Sequence, residues 1–267
     1  MSALVIAGFH RSGTSLTAQL LHRAGLHLGD DLIGVNPSNP YGHFEDRDFV
    51  RLHDALLDDG GRTWHVDEPF TPSISLARWN QMASLADRRR VRHRLWGFKD
   101  PRSCFFLAAW RYLIPDMRTL IVFRDPRECA FSLERRHASE LVRHTGPADL
   151  HRLFWERPDH ALRMWAVHNE ALVDFALSHR EDTVVIAHAD LGLGLPVVEM
   201  LEDRFELGLL PVRTLEVYDP TVTRARQSRQ HVARQATVDR ILRVWQDLQE
   251  LADQDKRMYV ERHHARS

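Results

Sequence analysis

The chain has 267 residues, 43% of them hydrophobic and 27% charged, with 36 basic side chains against 37 acidic ones. That composition fits an ordinary globule and excludes collagen, wholesale disorder and coiled coil. At this length one domain buries roughly 75% of the surface its unfolded chain exposes, so a full core forms without staples.

Near-neutral charge supplies no global field to draw the chain to nucleic acid or to an anionic membrane. Any anion has to be held by a local site. No apolar run reaches the ~18 residues of a membrane span, and Leu4-Val5-Ile6-Ala7 lacks the basic leader of a secretory signal. Cys104 and Cys129 have neither metal-ligand spacing nor a disulfide framework, so the expectation is a cytoplasmic enzyme. Only Lys99 and Lys256 are lysines, which makes Lys99 stand out. The 17 histidines show no HExxH or paired Cys/His spacing and are expected mostly at the surface, with no metal site among them.

In chain order, Leu4–Ala7 reads as a buried strand followed by a glycine-bearing turn from Gly8 to Gly13. Leu16, Leu20, Leu21 and Ala24 share a helical face, with Gly25 as the stop. Further strands are expected at Trp96-Gly97-Phe98, Leu120–Phe123 and Thr183–Ala187. Helices are expected over Asp46–Asp58, Leu76–Arg90, Ser103–Leu113, Pro126–Arg136, Asp159–His179 and Leu195–Phe205. Val238, Ile241, Leu242, Trp245 and Leu248 mark a last amphipathic helix, and Glu261–Ser267 reads as a frayed tail.

Continuous apolar strands alternating with helices argue for a parallel sheet covered on both faces. The expected architecture is one α/β domain over residues 1–255, with a tail over 256–267. Thr63–Pro72 and Arg136–Pro158 are expected to shape a substrate pocket.

Gly8-Phe9-His10-Arg11-Ser12-Gly13-Thr14-Ser15 lies between a strand and a helix, the context of a phosphate cradle. Backbone N–H groups wrap the anion there, and the helix start adds partial positive charge. The spacing is that of G-x4-G-K-[ST], except that Thr14 stands at the lysine position. A γ-phosphate would lack its usual counter-charge, which argues against the alternative reading, a P-loop small-molecule kinase. Arg11 supplies a cation earlier in the loop. The bland reading of the same residues is a tight glycine turn.

This loop resembles the 5′-phosphosulfate loop of sulfotransferases that use 3′-phosphoadenosine 5′-phosphosulfate (PAPS). His-Arg-Ser-Gly-Thr-Ser is most similar to bacterial members and to the tyrosylprotein branch. The resemblance implies a P-loop-like fold and, as donor ligands, Arg11, Ser12, Gly13, Thr14 and Ser15.

Arg124-Asp125-Pro126 follows the Leu120–Phe123 strand, where ligands of open α/β sheets collect. Arg124 and Ser132 together resemble the family's 3′-phosphate site. Taken alone, Arg124 could equally pair with Asp125 or another acid.

Sulfuryl transfer needs a base for the acceptor proton and a cation at the bridging oxygen, and side-chain cations suffice where phosphoryl transfer calls for magnesium. Glu45 is the candidate base. It lies in Asn36-Pro37-Ser38-Asn39-Pro40-Tyr41-Gly42-His43-Phe44-Glu45-Asp46, which resembles the family's Asn-Pro…Gly-x-Phe-Glu stretch. His43 is the alternative base, because imidazole titrates near neutrality. The bland reading of Glu45 is a helix-dipole partner.

Lys99-Asp100-Pro101 resembles the tyrosylprotein Lys-Asp-Pro element, which makes Lys99 the cation that assists bond departure, alongside Arg11. The competing role for Lys99 is an ion pair with Asp100. Arg224 and Arg226 loosely resemble a segment that closes over the nucleotide, and Trp165–Asn169 reads as core helix or acceptor contact. A small-molecule or glycan hydroxyl is the expected acceptor.

Overall fold

A computed structural model describes residues 2–35, 42–219 and 233–266. Four strands form one parallel sheet: β1 (Ser2–Ala7), β2 (Leu95–Lys99), β3 (Met117–Phe123) and β4 (Thr183–Ala187), in the order β2-β1-β3-β4. All four expected strands are present, each matching its apolar run.

Alternate residues feed opposite cores, as the two-residue period of a strand requires. Val5, Phe98, Ile121 and Val185 face one layer, and Leu4, Ile6, Leu120, Val122, Val184 and Ile186 the other. Burial on both faces is why these segments read as unbroken apolar runs.

The larger core is covered by α2 (Arg47–Asp59), α3 (Leu76–Arg92), α4 (Leu107–Leu113), α5 (Pro126–Val142), α6 (Ala148–Glu156), α7 (His160–Ser178) and α10 (Gln235–Arg266). The smaller is covered by α1 (Thr14–Arg23), α8 (His188–Leu191) and α9 (Val197–Phe205). The chain is therefore a single α/β domain with a parallel sheet between helical layers. Among the described residues no helix is long and apolar enough to cross a membrane.

Several boundaries differ from expectation for local reasons. The helix expected from Ser103 is split. Asp100 accepts from the Arg102 N–H and Pro101 sets the first turn, so Pro101–Phe105 winds as a 3-10 turn before α4 begins. Helix α5 continues past Arg136 to Val142, and α6 occupies part of the Arg136–Pro158 segment expected to shape the pocket.

At the end of the chain α10 runs on through Arg266 instead of fraying. Lys256 bonds Asp190 at 3.0 Å, and Arg262 donates to the Asp203 carbonyl at 3.0 Å, which ties this stretch to α8 and α9. The Trp165–Asn169 stretch is buried core of α7.

Gly97 of β2 sits opposite Leu4, and a Cβ there would run into the Leu4 carbonyl. Gly97→Ala is therefore expected to cost about 3 kcal/mol through overpacking. The thermal midpoint falls by roughly 6–12 °C in a chain of this size, as a melt followed by circular dichroism would report.

Candidate active site

Strand register decides which residues meet. Ile6 pairs with Lys99, Ala7 with Ile121, and Phe123 with Ala187, so all four strands end at one edge. The residues at or just beyond those ends line one cavity of about 330 Å³. They are His10, Arg11 and Gly13 after β1, Lys99 at the end of β2, Arg124 after β3 and His188 after β4. The carboxyl edge of a parallel sheet is where ligands of such folds bind.

The loop after β1 is held in an unusual path. Arg11 has φ 67° and Gly13 φ 95°, both left-handed. Gly13 also has no room for a side chain, since a Cβ would strike the His188 ring. Gly8 lies against the Val122 carbonyl in the same way, which draws the loop down onto β3.

Helix α1 then starts at Thr14 with no side-chain cap and no acid in its first turn. By contrast, α2, α3 and α5 are capped by Asp46, Ser75 and Asp125. The first N–H groups of any helix lack intrahelical partners. Those of α1 open beside the cavity that Thr14 and Ser15 line.

The two anion motifs read from sequence come together. Arg11 Nε donates to Ser132 Oγ at 2.9 Å, and Arg124 Nη1 donates to the Arg11 carbonyl at 3.3 Å. Arg124 Nε pairs with Glu128 Oε2 at 2.8 Å, so its acid partner is the residue one helical turn on, not Asp125. Its carbonyl accepts from Trp165 Nε1 at 3.0 Å. Burial, then Arg136 and Arg124, pull the Arg11 guanidinium down to about 10, which leaves it charged at neutral pH.

Ser12 is turned away. Its hydroxyl is fully buried 3.9 Å from Cys129 Sγ, and its N–H donates to the Phe9 carbonyl at 3.2 Å. Ser12 thus shapes the turn, and its hydroxyl does not face the cavity.

Lys99 Nζ donates to Glu45 Oε1 at 2.6 Å, so the candidate cation and the candidate base are partners. Lys99 is only 1% exposed, while Glu45 opens to the cavity. This pairing replaces the expected Lys99–Asp100 alternative. Asp100 is instead fully buried, accepting from Arg102 Nη1 at 2.9 Å and facing His53 Nδ1 at 2.8 Å. Against the upward push of burial, Arg102 and His53 hold the Asp100 carboxyl well below its usual range.

Beside Glu45, Asp46 caps α2 and is gripped by Arg89 Nη2 at 2.6 Å. That buried clamp fixes the backbone from which Glu45 reaches the cavity.

His43 lines the cavity, but burial draws its imidazole down to about 4. It stays neutral near pH 7 and loses the near-neutral titration that recommended it as a base. Burial pulls His188 down to about 3 and His10 well below its ordinary value. Burial pushes the Cys129 thiol up to about 12, and Cys104 is raised too, so neither is a nucleophile at neutral pH.

Among the described residues, five cations, Arg11, Lys99, Arg102, Arg124 and Arg136, line the cavity with one carboxylate, Glu45, while Asp100, Glu128 and Glu140, which pair with Arg102, Arg124 and Arg136, lie outside its lining. Trp64, Arg136, His10 and His188 were not singled out from sequence. Signals existed for two of them: His188 is the first residue after β4, and Arg136 lies one helical turn beyond Ser132. Residues 36–41, and Arg224 and Arg226, lie outside the described residues.

No protein-family model matches the chain, and no curated protein matches its sequence. Among solved structures it is similar to the sulfotransferase domain from the curacin biosynthetic pathway. The identity is 14% over 89% of this chain and 82% of that one, with a TM-score of 0.45. It is also similar to the sulfotransferase STF1 from Mycobacterium tuberculosis H37Rv, at 15% identity over 90% and 76% of the two chains, with a TM-score of 0.46. At those values neither neighbour decides what this chain does; its own side chains have to.

Proposed function

We propose that the chain is a PAPS-dependent sulfotransferase that acts on a hydroxyl of a small molecule or glycan. The observation that carries this reading is the charge of the cavity. Among the described residues, five cations and one carboxylate line the cavity beside an uncapped helix start, and the acids that pair with Arg102, Arg124 and Arg136 stay outside that lining, in a chain whose net charge is −1. Such a cavity suits a strongly anionic ligand.

The Gly8–Ser15 loop holds the 5′-phosphosulfate, with Arg11 against its charge, and Arg124 with Ser132 holds the 3′-phosphate. Thr14 stands where a nucleotide kinase carries its lysine, which favours the sulfuryl donor over a nucleoside triphosphate. The cavity cations supply the neutralisation, and no metal is required in the transfer.

In the reaction Glu45 takes the proton of the acceptor hydroxyl as that oxygen bonds to sulfur. The bond from sulfur to the bridging oxygen breaks, and its electron pair stays on the 5′-phosphate. Lys99 leaves Glu45 to hydrogen-bond that oxygen as charge builds, and adenosine 3′,5′-bisphosphate departs. The direct Glu45–Lys99 bond supports these roles, since a base and a cation for one transfer have to lie side by side.

Calorimetric titration with adenosine 3′,5′-bisphosphate tests the donor half. Arg124→Ala removes charge-assisted hydrogen bonds worth about 1.5–3 kcal/mol, so affinity is expected to fall roughly 10–100-fold. Glu128→Gln, which frees Arg124 from its ion pair, is expected to tighten binding. No binding by the intact chain at high micromolar nucleotide would overturn the reading.

A further inference from the structure

Outside the cavity, helices α5 and α6 bring three potential ligands together. His137 and Glu140 lie three residues apart on one face of α5, and His151 faces them from α6. We infer that His137, Glu140 and His151 form a binding site for one divalent transition ion of the zinc class. Imidazole and carboxylate donors suit such an ion.

Hydrogen bonding fixes which atoms are available. His151 Nε2 faces the Thr145 carbonyl at 2.8 Å, and a carbonyl only accepts, so His151 carries its proton on Nε2. Its Nδ1 is then a bare lone pair, 2.7 Å from His137 Nδ1 and 3.5 Å from Glu140 Oε2. At 2.7 Å, His137 has to place its own proton on Nδ1, which leaves its buried Nε2 with no partner. Glu140 Oε2 thus faces the His151 lone pair at 3.5 Å, while Arg136 pairs with the other carboxylate oxygen, Oε1. A cation relieves that repulsion.

The geometry needs little adjustment. Metal bonds of about 2.0–2.1 Å in a tetrahedron separate the ligand atoms by about 3.3 Å. The Glu140 Oε2 distances, 3.5 Å to His151 Nδ1 and 3.8 Å to His137 Nδ1, are already close to that. The two rings have to part by about 0.6 Å and Glu140 has to close on His137 by about 0.5 Å, as the ion replaces the hydrogen bond and the His137 proton moves from Nδ1 to the unpartnered Nε2.

The supporting shell is in place as well. Glu140 Oε1 accepts from Arg136 Nε at 2.9 Å, and Thr145 orients His151, as outer partners of metal ligands do. Gly146 lets the turn close on His151, since a Cβ there would lie 3.0 Å from Nε2. His137 is 1% and His151 5% exposed, and Phe154 stacks on His137 at 4.2 Å.

A second trio, His27, Asp30 and His93, is the internal control. It is more open, and Arg89 and Arg92 already hold its carboxylate at 2.9 and 3.3 Å.

The untagged chain, stripped by a chelator, is titrated with cobalt(II) and then zinc. One cobalt per chain is expected, with the intense visible absorption of a tetrahedral ion, displaced by zinc. His151→Gln and Glu140→Gln are expected to weaken uptake at least about 10–100-fold, the loss that even outer-shell changes produce, whereas His93→Gln leaves it intact. If His151→Gln misfolds by circular dichroism, Glu140→Gln, at a partly exposed position, carries the decision. No saturable uptake by the parent chain, uptake unchanged in Glu140→Gln, or uptake lost in His93→Gln would each overturn the site.

Discussion

Glu45→Gln is expected to slow sulfuryl transfer by about 10²–10⁴-fold, the usual contribution of a positioned general base, with affinity for adenosine 3′,5′-bisphosphate largely retained. Glutamine is the informative replacement because of Lys99. The ammonium is 1% exposed and donates to Glu45 at 2.6 Å, and an amide oxygen in the same place still accepts that bond. Alanine would strand a buried cation, a loss of roughly 3–5 kcal/mol that confuses chemistry with folding.

The companion variant is His43→Gln. An imidazole held at about 4 by burial has no protonation advantage over a carboxylate at neutral pH, so this change is expected to cost far less. Single-turnover transfer from labelled donor measures both. A Glu45→Gln enzyme as fast as the parent, or a loss carried by His43→Gln instead, would remove Glu45 from the chemistry.

What the sequence made legible follows from which interactions are local. The strands were readable because both faces are buried, so Leu4–Ala7 and Leu120–Phe123 carry no polar interruption. The Asp125-Pro126 start of α5 was readable because a cap acts within three residues: Asp125 accepts from the Arg127 and Glu128 N–H groups at 2.8 and 3.1 Å. Glycine at positions 8 and 13 announced a tight turn, and close packing against Val122 and His188 gives that turn its reason.

Pairings between distant segments were not legible. Glu45 and Lys99 were each singled out, but nothing in either neighbourhood says that they bond one another, because only β1–β2 register and α2 packing bring them together. The Arg89 clamp on Asp46 and the Arg11–Ser132 bond are hidden for the same reason. Histidine burial was the largest misreading. His53, His65, His137, His151, His160, His168 and His188 are all buried, although no spacing distinguishes them from surface residues. Aromatic partners on other elements, such as Phe106 stacked on His53 and Phe154 on His137, make room for them.

Those buried imidazoles predict an acid-sensitive fold. Burial pulls His65 to about 3, His137 to about 2, His168 to about 4 and His188 to about 3. Each is lowered relative to an unfolded value near 6.5, so between the two values the unfolded chain binds more protons than the folded one. Stability is then highest above about pH 6.5 and falls as the pH drops through that window, by up to ~1.4 kcal/mol per pH unit for each group.

At pH 5 this amounts to about 2 kcal/mol per imidazole, and four of them consume much of the 5–15 kcal/mol typical of a domain. Asp100 acts in another window. Its carboxyl is held low in the fold, so its contribution is complete above the unfolded carboxylate value near 4 and is lost only below it. Urea midpoints measured in chelator from pH 7.5 to 4 are expected to fall steeply between 6.5 and 5. His168→Gln, which removes one titrating ring whose Nδ1 bonds its own helix at the Met164 carbonyl at 2.8 Å, is expected to flatten the slope. A midpoint constant down to pH 5, with loss only below 4, would assign acid unfolding to the carboxylates and show these histidines to be solvated.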